Sequence, residues 1–208
     1  MSRQRASRMA PDERREQLLA SAVRAFGEHG VARAKHADVA AAAGVSEATV
    51  FVYFPTRQAL REAVFAHFEQ WALTLAETTL GSALPGDLAI EAHLKGAADL
   101  FARKPEEVRI WIGWSMAIED ELWPRYRQLQ QAVLGQIERA LRRGQGEGVF
   151  DPAIDAEEAA IGILGAAYMI GQTQFEGKPK REIDRYIETL VDRFRARVPA
   201  RQAAVGSV

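Results

Sequence analysis

Apolar residues return along this chain every three to four positions, with no strand pattern of consequence and no internal repeat. That spacing is the signature of helices with one buried face. Leu18, Leu19, Ala22, Val23 and Phe26 mark one such face between Pro11 and His29, with Pro11, Asp12 and Glu13 suited to a first turn and Gly30 to a stop. Leu60, Val64, Phe68, Trp71 and Leu75 mark a long helix from Arg57 to about Leu80, with Thr56 as its cap. Further helices are predicted for Asp87 to Lys104, Glu106 to Ile118, Pro124 to about Arg143, Ala156 to Phe175 and Lys180 to about Arg197. Gly144, Gly146 and Gly148 read as a loop. The stretch GQGEG invites a phosphate-loop reading, but no strand precedes it, and a helix stop is the better account. The expected class is all-α, about nine helices.

The stretch from Lys35 to Tyr53 organises the rest. His36 to Ala43 is a run of good helix formers, and Gly44 can end it with a positive φ. Ser46 is then a strong N-cap for a second short helix through Ala48, Val50, Phe51 and Tyr53. Helix, glycine turn, helix is the helix-turn-helix unit, whose second helix enters the major groove of DNA. The expected organisation is a basic arm at 1–10, a helix-turn-helix domain at 11–56, a second helical domain at 57–198, to which only the family resemblance of the motifs quoted below adds ligand binding and dimerisation, and a tail at 199–208.

Composition narrows the class. Of 208 residues 48% are hydrophobic, enough for a real core, and none is cysteine, which removes disulfides and thiolate chemistry and suits a reducing cytoplasm. No apolar run approaches the ~18 residues of a membrane span, so no membrane partner is expected. Residues 1–60 hold nine Lys/Arg against six Asp/Glu, or +3, and the remainder holds eighteen against twenty-two, or −4. A nucleic-acid module joined to an acidic domain gives that split.

AAAGVSEATVFVYFPTRQAL resembles the signature of the TetR family of transcriptional regulators, and the likeness runs from about Arg14 to Leu60. Within that family, HAD at His36 to Asp38, ATVF at Ala48 to Phe51, YFPTR at Tyr53 to Arg57, WIGWS at Trp111 to Ser115 and ELWP at Glu121 to Pro124 are similar to the LuxR/HapR/SmcR branch of quorum-sensing regulators. The resemblance implies a DNA-binding regulator rather than an enzyme. That branch commonly carries Asn where this chain has Val52, a departure that bears on the operator sequence.

Position and chemistry then assign roles. Ser46, Glu47, Ala48 and Val52 are expected to face base edges, Glu47 accepting from a cytosine amino group and Ala48 and Val52 touching thymine methyls. Thr49, Tyr53, Lys35, His36 and Arg57 are expected at phosphates, the tyrosine on the strength of the family motif. Arg3, Arg5 and Arg8 make a basic arm that can follow a minor groove. One short helix supplies too few base contacts to find a genomic site, so a homodimer on a partly palindromic operator of double-stranded DNA is expected. The small residues and apolar faces of the last two helices suggest its seam, at Ala160, Leu164, Ile183, Ile187, Leu190, Val191 and Phe194; packing on their own subunit is the alternative.

Phe68, Trp71, Leu75, Trp111, Trp114, Val133, Ile163, Ala167 and Ile170 form either a filled core, which periodicity favours, or the lining of a cavity. The resemblance implies a pocket for a small apolar or aromatic effector. Rival functions find little support. A di-iron protein needs Glu-x-x-His pairs, and none of His29, His36, His67 and His93 has a Glu three residues before it. No nucleophile motif, cofactor motif or metal set is evident. A helical interaction protein that never meets DNA remains the other class.

Overall fold

Nine α-helices are present among the residues that the computed structural model describes, 10–195. They are α1 (Pro11–His29), α2 (His36–Ala43), α3 (Glu47–Tyr53), α4 (Arg57–Leu80), α5 (Gly86–Arg103), α6 (Pro105–Met116), α7 (Trp123–Gly146), α8 (Ala156–Phe175) and α9 (Lys180–Asp192). The all-α expectation holds. By packing, the chain divides into two compact units, the first running to Thr74 and including Asp99–Ala132, the second comprising Leu75–Ala98 and the chain from Val133. These units cut across the boundary at Arg57 drawn from the sequence.

In the first unit Leu18, Ala22, Phe26, Val39, Val50, Leu60, Val64 and Phe65 lose all contact with solvent. Each large side chain among them contributes ~1.5–3 kcal/mol of burial. α1 meets α6 at very close range. A Cβ added at Gly27 would lie 2.8 Å from the Cα of Glu106, so only glycine admits this approach. Farther along, Gly113 of α6 sits beneath Val31. Ion pairs Arg61–Asp120 and Arg125–Glu69 tie α4 to the later part of the unit. Glu107 is buried with His67 Nε2 at 3.5 Å and Lys104 Nζ at 3.4 Å. Burial pushes its carboxyl up, but these two neighbours outweigh that and hold it below the usual carboxylate range.

In the second unit Ile90, Leu94, Ile137, Ala140, Ile163 and Ile187 are wholly buried. His93 is buried with them, and desolvation lowers its pKa to about 4, so it is neutral at pH 7. Thr79 Oγ1 donates its one proton to the Leu75 carbonyl at 2.6 Å, so His93 Nδ1, 2.9 Å away, must be the donor to that oxygen.

Two helix ends depart from the sequence reading. α7 continues through Gly144 and ends at Gly146, because only Gly148 takes a positive φ, of 75°. Gly144 is small for a packing reason: a Cβ there would meet the Phe150 ring at 2.4 Å. The last helix, expected to reach about Arg197, stops at Asp192. Beyond it the Phe194 carbonyl accepts from Asp151 N–H at 3.0 Å and Arg195 reaches Asp87 at 3.0 Å, contacts that a continued helix would not make.

Candidate nucleic-acid interface

The turn between α2 and α3 is built as its residues dictate. Gly44 takes a left-handed φ of 66°, and Val45 N–H reaches back to the Ala40 carbonyl at 3.1 Å. Ser46 Oγ accepts from Thr49 N–H at 3.2 Å, capping α3. Lys35 precedes α2, where its N–H donates to Asp38 Oδ2 at 2.8 Å and leaves its ammonium exposed. Arg24 of α1 donates to the Ala42 carbonyl at the end of α2, where a cation complements the free carbonyls.

α3 has one buried residue, Val50. At ~100° per residue Ala48 and Val52 fall opposite it, and both are exposed, Val52 to 77%. Glu47 is exposed at the first turn. Ser46 is also exposed, but its hydroxyl bonds Thr49 Oγ1 at 2.8 Å, so these two hydroxyls, assigned to bases and phosphates, serve the cap and each other. Tyr53 is half-buried at the far end.

His36 requires a correction. It was expected at a phosphate, yet it is 4% exposed. Its Nε2 donates to the Phe54 carbonyl at 2.7 Å, a bond that joins the start of α2 to the end of α3. Its ring lies flat against Phe51, centroids 4.0 Å apart and planes 9° from parallel. Phe51 itself is 43% exposed and was given no role from the sequence. Arg57 is exposed in the first turn of α4, with its guanidinium donating to the Ala32 carbonyl. It lines a recess with Glu28, His29, Arg33, Lys35 and Asp38. Arg3, Arg5 and Arg8 lie outside the described residues.

The nine candidate pocket residues fall into both units. Phe68, Trp71, Trp111 and Trp114 belong to the first, where with Phe65 and Phe101 they make a ring cluster at centroid spacings from 4.9 to 6.1 Å. The indole N–H groups of Trp71 and Trp114 are shielded from solvent without a hydrogen-bond partner. Leu75, Val133, Ile163, Ala167 and Ile170 belong to the second unit, the last four buried. Among the described residues no group of three or more His, Asp or Glu side chains is placed to hold a metal ion.

The seam residues are also redistributed. Ala160, Ile183, Ile187 and Val191 are buried within their own chain, so the apolar face of α9 covers its own subunit. Leu164, Leu190 and Phe194 are half-buried, Phe194 beyond the end of α9. The exposed strip on α8 is a different one. Ile161 is 58% and Met169 52% exposed, four residues either side of Gly165, with Gly162 beside them and nothing within 4 Å of a Cβ at either glycine. No helix among the described residues is long and apolar enough to cross a membrane.

Residues 18–64 match the family described as bacterial regulatory proteins, tetR family, and residues 88–198 match the tetracyclin repressor-like C-terminal domain. The HTH-type transcriptional regulator LuxR of Vibrio harveyi is 27% identical over 190 residues, 89% of this chain and 91% of that protein. Nucleoid occlusion factor SlmA of Photobacterium profundum is 27% identical over 184 residues, 85% of this chain and 93% of its own. Among solved structures, the ketosteroid transcriptional regulator KstR2 of Mycobacterium tuberculosis superposes with a TM-score of 0.75 at 15% identity, covering 90% of this chain and 98% of that one. FadR of Bacillus subtilis, in complex with stearoyl-CoA, does so with a TM-score of 0.69 at 15% identity, covering 85% and 95%.

Proposed function

This chain belongs to the TetR family of bacterial transcriptional regulators, and we propose that it acts as a homodimer on a partly palindromic DNA operator, under the control of a small apolar effector. The observation that carries the DNA reading is the surface of α3. Its buried side is a single valine, and its outer side is free of intramolecular partners at Ala48 and Val52. Lys35, just before α2, and Arg57, in the first turn of α4, are exposed cations suited to phosphates. Arg57 already holds the Ala32 carbonyl, so it brings that loop and a phosphate to one guanidinium.

Two such helices, one DNA turn apart, give the affinity that one cannot. The α8 strip of Ile161, Gly162, Gly165 and Met169 is the face that a second copy would cover, since its glycines permit close approach of a helix. The effector reading draws on the unpartnered indole N–H groups of Trp71 and Trp114, which would favour an apolar ligand carrying one acceptor atom. Such a ligand acts by preferring one conformation over another.

Selection of bound duplexes from a random-sequence DNA pool, followed by sedimentation of the complex, tests the proposal. The expected outcome is a two-fold symmetric motif bound by an even number of chains. Recovery of no motif, or of an asymmetric one bound by a single chain, defeats it.

A further inference from the structure

The exposed side of α3 carries no guanidinium, ammonium or amide. Glu47 offers a carboxylate, and Ala48, Phe51 and Val52 offer only carbon. The hydroxyls of Ser46 and Thr49 are bonded to each other at 2.8 Å, which uses one of their two protons. Direct reading of a purine in the major groove uses a donor, a guanidinium or ammonium at guanine or an amide at adenine. α3 has neither. The base edges that fit carbon and a carboxylate are the C5 methyl of thymine and the exocyclic amino groups of cytosine and adenine.

We propose that this helix reads its half-site through the C5 methyl groups of thymines, with Val52 and Phe51 as the specificity-determining side chains. Val52 is 77% exposed, against 43% for Phe51, and stands at the centre of the outward face of α3. Phe51 borders it, and its ring is fixed in place by the parallel stack on His36. His36 is in turn fixed by its bond to the Phe54 carbonyl, so it is a positioning residue that never touches a base. The result is a stiff carbon edge with little side-chain entropy left to lose on binding. Glu47, at the first turn, repels phosphate and can accept from the exocyclic amino group of cytosine or adenine.

The inference rests on α3 being the DNA-reading helix, and its test separates the two. Duplexes recovered from the random pool are resynthesised with deoxyuridine in place of thymidine, one position at a time. At one or two positions per half-site, loss of the methyl should weaken binding about fourfold. Cytosine there should weaken it too, and 5-methylcytosine should recover part of the loss. In the Val52→Ala protein the uracil penalty should vanish at one of these positions; the side chain is 77% exposed, so this variant keeps the fold. The Val52→Asn protein should select adenine at the same place.

Uracil duplexes bound as tightly as thymine duplexes at every position overturn the methyl reading while leaving DNA binding intact. So does a uracil penalty that is the same in Val52→Ala and Phe51→Ala as in the parent. Recovery of no duplex at all overturns the assignment of α3 itself.

Discussion

α3 and α8 each turn a short apolar strip outward, and the two strips differ in what frames them. On α3, Ala48, Phe51 and Val52 are exposed, and the segments on either side of the helix pair carry the exposed cations Lys35 and Arg57. On α8, Ile161 and Met169 stand beside bare glycines, and the nearby recess is lined by Ile170, Thr173, Lys178, Glu182, Ile183 and Tyr186 as well as Met169. The strips are similar in chemistry, so exposure alone says little about a partner. Cations around an apolar edge suit a polyanion whose bases carry methyls. Small residues within an apolar edge suit a second helix. The frame, more than the strip, identifies the occupant.

The sharpest way to break this contrast is to charge the α8 strip. Ile161→Glu with Met169→Glu should leave the proposed dimer monomeric in sedimentation and cost about a thousandfold in operator affinity. Both positions are exposed, so the monomer should stay folded. A variant that remains dimeric removes α8 from the seam.

Acid should act on the two units at different pH. His93, at about 4 in the fold, lies below the ordinary histidine value of 6.5. Between those values the unfolded chain binds the proton more readily, so stability falls as pH drops through this window. The loss is on the order of 3 kcal/mol for this buried group. Glu107 in the first unit is held below its ordinary range, so its contribution is lost only at lower pH. Urea titrations from pH 7 to 4 should show the slope, and His93→Gln should flatten it. An unchanged slope would place the acid sensitivity elsewhere.

A smaller effect separates steering from reading. Lys35→Ala should weaken binding by about fivefold on every duplex alike and reduce the salt slope by about 0.9. A loss confined to one sequence would make Lys35 a base contact. Smallest of all, Val52→Ala should leave unfolding free energy within about 0.5 kcal/mol, because so exposed a side chain buries little; a larger change would mean that it packs within the fold.

Much of the head was legible because its signals are local. Pro11, Gly30, Gly44, Ser46 and Thr56 each act on the turn in which they sit, and the starts of α1, α3 and α4 and the ends of α1 and α2 fall where those residues predict. Where the cause is tertiary the reading slipped. Gly144 looks like a helix stop until the ring of Phe150 is seen against it. Ile183, Ile187 and Val191 mark an apolar face correctly, but periodicity names a face and not what covers it. His36 failed for a related reason. A histidine before a recognition helix suggests a phosphate partner, and nothing adjacent in sequence reveals that the carbonyl of Phe54 lies within its reach.

The contact at Gly27 has one last consequence. A single hydrogen atom at that position sets the gauge between α1, which backs the reading head, and α6, which carries Trp111 and Trp114. A methyl there would work as a shim: Gly27→Ala would prise the two rods apart by an amount fixed by the size of one carbon, without touching any atom that meets a base. The cell would then hold a regulator whose parts are all sound and whose calibration is off.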